Sequence, residues 1–424
     1  MEILAKHSDP WFKDIVVGKY ITQIVKDSNE KNMDYRVVCS TLLVLAEGYH
    51  FLLNDQNIDE LIYQNMLMLK EAIMENKLLG RPSLFEGLTE IALSILAVNR
   101  VTGNYKKFLD KTNQLLYLWI ENFIQQIDIK QNLSADHYDT IYGISGILKY
   151  LLLIEPDDSE ILVKLLSILV YLGRDEEKDV GILPRWHIKK ENLKLESDRL
   201  NYPSGYINLG LAHGIAGPLR VLSEAYGKGI IVDGHLEVIE RIIDIYKKFA
   251  YQINGSTYWP NFLSSEDYLN GTIHRQRSRE SWCYGSIGIA KTLFTTGICI
   301  DDFKLSDWAF SVIEQKAQLE PDELMLDSPT LCHGFAGLLS ILNSTHHVRK
   351  SPILQSGMFK VEQLIAEMHD TNSLYGFWNI ESLVNQGKIK SDKNTFLDGA
   401  AGVILALLSA NGYGENFYLN KLML

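Results

Sequence analysis

Cysteine is scarce in this chain, with four residues among 424. The opening stretch MEILAKHSDPWFKD shows no basic segment followed by an apolar one, so no export signal is expected. Without export, so few thiols do not make a disulfide framework, and any thiol in use is used reduced. Positive charge is also in deficit: 41 Lys and Arg against 53 Asp and Glu leave a formal net charge of −12. That excludes the basic footprint a nucleic-acid partner needs, while permitting attraction to a cationic partner. Long hydrophobic runs are missing. The most apolar windows, such as EILVKLLSILVYLG, are too short for a membrane span and carry charges. Strand-like alternation is rare. What these absences leave is a cytoplasmic, soluble chain with an ordinary 46% hydrophobic and 22% charged content. Its length suits two or three average domains, or one long repeat fold.

A repeat is what is present. Gly-x-x-Gly followed by an apolar helical run occurs as GISGILKYLLLI from Gly143, GIAGPLRVLSEA from Gly214, GSIGIAKTLFTT from Gly285, GFAGLLSILNST from Gly334 and GAAGVILALLSA from Gly399. GLTEIALSILAV from Gly87 is a weaker copy, with Glu90 in place of the second glycine, and AEGYHFLLN near Gly48 is a seventh with the pattern mostly lost. Between the copies lie segments whose apolar residues recur at three- and four-residue steps, at 58–76, 106–127, 235–253 and 361–370. The unit is therefore an amphipathic helix, a loop, and a glycine-opened apolar helix. Glycines let backbones approach closely, and a helix start leaves N–H groups free. The uneven period favours a closed, all-α toroid of inner and outer helices over an open solenoid.

Two stretches break the helical pattern. Residues 174–207, with two prolines, aromatics and alternating charge, are expected to form an inserted lobe with short strands. Residues 254–281 form a second long loop, and loops this long in a compact fold are usually functional. The whole of 1–424 is taken as one domain with 174–207 inserted in it.

The residues just before the glycines are chemically distinctive. NLGLAHGIAG places His213 before Gly214; WCYGSIG places Cys283 and Tyr284 before Gly285; LCHGFAG places Cys332 and His333 before Gly334; and HYDTIYGISG places Asp139 four residues before Gly143. Equivalent positions in a ring point to one opening. Two cysteines and a histidine then make a three-ligand zinc set with an open fourth position, which suits binding a substrate thiol and presenting it as thiolate. The spacing is not a finger motif, so co-location in the repeat carries the argument. Taken singly, Cys283 reads better as a core thiol, His213 as a hydrogen-bonded core histidine, Arg279 as a partner of Glu280 or of a helix terminus, and Tyr284 and Trp282 as packing aromatics. Asp139 reads equally as a turn or cap residue and as a catalytic one. Cys39 and Cys299 are assigned to core.

With NLGLAHGIAG, WCYGSIG and LCHGFAG in this order, the chain resembles the lanthipeptide cyclases, the LanC family, from about Gly87 to Gly402. The resemblance implies seven inner and seven outer helices, one catalytic Zn²⁺ on Cys283, Cys332 and His333, and an active site with His213, Asp139, Arg279 and Tyr284. It implies addition of a precursor-peptide cysteine thiol to dehydroalanine or dehydrobutyrine, giving lanthionine or methyllanthionine rings. It also implies a complex with a dehydratase and an ABC transporter, with attachment to the inner face of the membrane through that complex. Three other readings compete. A prenyltransferase-like zinc enzyme would need a carboxylate in its metal set. A helical-toroid glycosidase would need paired acids, and the helix starts offer Asp139 and Glu86. A LanC-like protein holding zinc and glutathione without closing rings fits the same motifs.

Overall fold

The structure, a computed structural model, describes residues 12, 16–28, 33–52, 57–75, 78, 80–128, 133–154, 160–273, 275, 277–383 and 387–424. They pack as two compact units. The first takes in Met1–Gly80, Glu90–Gln114 and Leu326–Leu422, the second Arg81–Thr89, Leu115–Met325 and Met423–Leu424.

In the second unit the glycine-opened helices Ile144–Ile154, Ala216–Gly227 and Ser286–Cys299 lie side by side. Each is covered by the amphipathic helix that follows it: Glu160–Gly173, His235–Lys248 and Phe303–Ala317 respectively. Burial separates the two kinds. Every residue from Ile144 to Leu152 and from Ser286 to Phe294 is buried, whereas His235–Lys248 buries one stripe that includes Val238, Ile239, Ile242, Ile245 and Tyr246. A helix apolar all round belongs inside, and a striped one covers it.

The repeat has a shared turn. The first amide after the first glycine bonds the carbonyl seven residues earlier: Leu88 to Arg81 at 3.0 Å, Ile215 to Asn208, Phe335 to Ser328 and Ala400 to Lys393 at 2.9 Å each. The loop thus folds back over the helix start and satisfies one of its orphan donors. The glycines are needed because the returning backbone presses on them. A Cβ on Gly146 would sit 2.2 Å from the Thr140 carbonyl oxygen, and one on Gly402 would sit 2.1 Å from that of Phe396. The Gly87 copy makes the same turn despite Glu90.

In the first unit Phe335–Val348 lies beside Ala400–Ala410, which lies beside Tyr35–Glu47, while Pro352–Glu367 and Ile58–Met74 cover the first and last of these. The interior helix Tyr35–Glu47 precedes Gly48 rather than following it. Its start is capped by Asp34, which accepts the Arg36 amide, so the copy expected after Gly48 is replaced by a helix without the glycine pattern. Glu90 is buried against Lys421 at 2.6 Å. The second glycine's place is thus taken by one half of an ion pair.

Several boundaries differ from expectation. The segment expected to be helical to residue 253 ends at Lys248, and Tyr251–Ile253 instead pairs with Ser256–Tyr258. Asn254 and Gly255 both adopt left-handed backbone, at φ +50° and +80°, the hairpin turn that Asn-Gly favours. Ile58–Met74 ends before residue 76, which lies outside the described residues. The 174–207 stretch carries a hairpin, Asp175–Lys178 with Gly181–Pro184, and a short helix, Glu196–Asn201. Its last strand, Tyr206–Asn208, pairs with Phe262–Ser264. The lobe is therefore joined to the second long loop, of which residues 274 and 276 lie outside the described residues. A further hairpin, Asn379–Leu383 with Gly387–Ser391, was not expected. Among the described residues no helix is long and apolar enough to cross a membrane.

Candidate active site

Three loops of the second unit are stitched together at the helix starts. Thr140 donates its amide to the Ala212 carbonyl at 3.1 Å and its hydroxyl to that of Leu211 at 2.7 Å. On the far side of the same strand of chain, the Leu211 and Ala212 amides donate to the Cys283 carbonyl at 3.1 and 3.3 Å. Phe85 extends the series by donating to the Ile141 carbonyl. The loops that carry Asp139, His213 and Cys283 are thereby fixed edge to edge.

Asp139 is fully buried. Its Oδ1 accepts the amides of Tyr142 at 2.7 Å and Gly143 at 2.8 Å, holding the start of Ile144–Ile154. Its Oδ2 stands 2.6 Å from His213 Nδ1. The cap and the partner of His213 are the same residue, using different oxygens. Burial pushes the Asp139 carboxyl above its usual range, and His213 pulls it back. For His213, burial opposes charging the ring, but the hydrogen bond to Asp139 and its charge outweigh burial, and the pKa is raised. With Nδ1 committed to Asp139, Nε2 is the nitrogen left to serve a reacting group, and the side chain is 34% exposed.

Tyr284 accepts a hydrogen bond from Asn208 Nδ2 at 2.9 Å, and its ring covers Gly210 so closely that a Cβ there would sit 2.6 Å away. Burial pushes its hydroxyl far up, so the phenol keeps its proton. Arg279 does not pair with Glu280, which is buried against Lys316 at 3.0 Å and accepts the Ile287 amide. Arg279 instead lines a cleft of about 440 Å³ with Arg277, Asn261 and Phe262, and Phe262 packs on Tyr284 at 5.6 Å between ring centroids. Cys283 is buried, with Sγ 3.5 Å from the Ser281 hydroxyl.

Cys332 and His333 belong to the first unit. Cys332 donates its amide to Leu397 at 2.8 Å, the same kind of loop-to-loop stitch. His333 Nε2 lies 3.3 Å from the Ile380 carbonyl.

Residues 30–418 match the family described as lanthionine synthetase C-like protein. The chain belongs to that family. This LanC-like chain is 31% identical over 344 residues to the nisin biosynthesis protein NisC of Lactococcus lactis subsp. lactis, covering 79% of the chain and 75% of the relative. It is similar to the solved structure titled nisin cyclase, with a TM-score of 0.79 and 27% identity over 98% of each chain. That likeness shows the fold class expected from the repeat, an all-α toroid with a small strand-bearing lobe.

Two thiols and an imidazole are chemically a zinc set. The Ile380 carbonyl can only accept, so His333 Nε2 carries its hydrogen and Nδ1 keeps the lone pair a metal requires. The Ser281 hydroxyl, which donates to the Tyr284 carbonyl, lies beside Cys283 Sγ. Among the described residues no group of three or more His, Cys, Asp and Glu side chains is gathered to hold a metal, so the fit rests on donor chemistry.

Two residues near the site, Tyr142 and Asn208, were not singled out from the sequence. Tyr142 lies 6.3 Å from His213 between ring centroids, donates to Glu86 at 3.3 Å, and carries Arg81 and Lys194 near its ring at 5.1 and 5.4 Å. Asn208 holds Tyr284. A signal for Tyr142 existed: the residue directly before the first glycine reads Glu86, Tyr142, His213, Tyr284, His333 and Asp398 through the copies.

Proposed function

We propose that the protein is a zinc-dependent cyclase of lanthipeptide biosynthesis. It adds cysteine thiols of a dehydrated precursor peptide to dehydroalanine or dehydrobutyrine within the same peptide, closing lanthionine and methyllanthionine rings. The observation that carries the ring-forming activity is the likeness to nisin cyclase over 98% of the chain.

Cys283, Cys332 and His333 would hold a zinc ion, which would supply the Lewis acidity that favours the thiolate form of a substrate thiol near neutral pH. The carbon–sulfur bond forms at the β-carbon, the alkene pair moves toward the neighbouring carbonyl, and a proton must reach the α-carbon. His213 delivers that proton from Nε2, because Asp139 holds Nδ1 and raises the affinity of the ring for a proton. Arg279 offers a fixed positive charge for the developing enolate oxygen. Tyr284 remains a neutral hydroxyl and orients the peptide.

The chain 1–424 acts as one cyclase domain with 174–207 inserted, and it works in the cytoplasm with a dehydratase and an ABC transporter at the inner face of the membrane. The test is incubation with a dehydrated precursor, followed by thiol alkylation and mass measurement. Loss of alkylatable thiols without change in peptide mass is expected. Thiols that persist with zinc-loaded protein overturn the reading for that peptide.

A further inference from the structure

The repeat carries a second pattern that ring closure does not use. Six residues after the first glycine stand Lys149, Arg220 and Lys291 in three successive copies, where the copies at Gly87, Gly334 and Gly399 have Leu93, Ser340 and Leu405. The three helices that bear the cations lie side by side, so equal register brings the cations to equal depth. All three are buried, at 4%, 6% and 4% exposure.

One carboxylate serves two of them. Glu224 lies 2.8 Å from Lys149 Nζ and 2.7 Å from Arg220 Nη1, and Arg220 Nε donates to the Met423 carbonyl at 2.9 Å. Lys291 has neither a carboxylate nor a hydrogen-bond acceptor among the described residues. Its neighbours are the Phe294 ring, 5.4 Å away, and the charge of Arg220. Burial, reinforced by Arg220, pushes the Lys291 ammonium down to about 7. Lys149 is likewise pushed down to about 8 by burial and Arg220, against the pull of Glu224. Lys149 and Arg220 share Glu224, and Lys291 beside Arg220 adds positive charge that burial penalises and that an anion relieves.

We propose that Lys149, Arg220 and Lys291 form an interior binding site for a small oxyanion, either inorganic phosphate or the carboxylate of a small acid. Lys291 is its uncommitted donor. Glu224 holds the other two cations in place. An occupant ties together the three helices whose opening loops carry Asp139, His213 and Cys283. The site is independent of the ring-closing reaction, and its test reads binding and stability rather than activity.

The experiment titrates the whole protein with inorganic phosphate and, separately, with acetate, each against chloride at matched ionic strength, by calorimetry and thermal unfolding. One anion per chain and a rise in Tm are expected with phosphate, acetate or both, and the responding arm names the source. Lys291→Met should fold, since it removes an uncompensated buried charge, and should weaken that anion's binding by about tenfold or more. Lys291→Gln is the second variant should the first fail to fold. Absence of binding of both anions to the unaltered protein overturns the proposal, as does an unchanged response in the Lys291 variants.

Discussion

Asp139 Oδ2 stands 2.6 Å from His213 Nδ1, while Oδ1 of the same carboxylate holds the amides that open Ile144–Ile154. Positioning of the proposed acid and anchoring of a helix are therefore one device. Displacing the helix start would misplace the imidazole.

Asp139→Asn should keep the helix start, because the amide oxygen still accepts the two N–H groups. It should lower ring closure by a hundredfold or more, on the order seen when a carboxylate-held histidine loses its partner. Circular dichroism and single-turnover mass assays separate the two effects. A variant as active as the parent would remove Asp139 from the mechanism.

The pH dependence follows from the raised pKa of His213. As proton donor, His213 should support closure at low pH and lose effect as pH rises through its folded pKa. Asp139→Asn should move that limb to lower pH. The linked stability has the same sign: the contribution from His213 is complete below about 6.5, its unfolded value, and is lost as pH rises through the higher folded one. His213→Asn should flatten the limb while zinc content holds; undiminished cyclisation would end its role.

Cys283→Ala should lower zinc content and abolish closure, and chelation of the parent protein should do the same reversibly. Undiminished metal by elemental assay in Cys283→Ala would contradict the ligand assignment.

Lys421→Met leaves Glu90 buried without its cation and should cost about 3–5 kcal/mol in denaturant unfolding. Replacing both, as Glu90→Gln with Lys421→Met, should restore most of that stability. Equal losses in single and double variants would show that the pair does not matter as a pair.

Gly146→Ala drives a Cβ to within 2.2 Å of the Thr140 carbonyl and 2.7 Å of Leu84 Cβ. A loss of about 1–3 kcal/mol is expected, with weakened closure because Thr140 stitches the Asp139 loop to that of His213.

Much of this was legible in the chain. Gly-x-x-Gly followed by apolar runs marked the interior helices, because close backbone approach and all-round burial each leave a local mark. Reading the repeat placed His213 and Cys283 on corresponding loops, and those two loops are joined by the Leu211 and Ala212 amides donating to the Cys283 carbonyl. Other features had no local mark. Tyr251–Ile253 continues a helical pattern and leaves it only because Asn254-Gly255 turns the chain back. Tyr35–Glu47 takes an interior place without glycines, since Asp34 supplies the cap. Glu90 looked like a flaw in the motif until Lys421, far along the chain, proved to be its partner.

The sequence by itself determined the helical class, the repeat, and the identity of the residues at the helix starts. Periodicity and glycine placement are short-range properties, fixed by backbone geometry within a few residues. Only the tertiary structure decided the pairings: which oxygen of Asp139 meets His213, that Glu280 belongs to Lys316 and not to Arg279, and that Lys291 is buried beside Arg220 with no carboxylate partner among the described residues. Those depend on which distant side chains share a low-dielectric interior, where a charge is settled by the partner that reaches it.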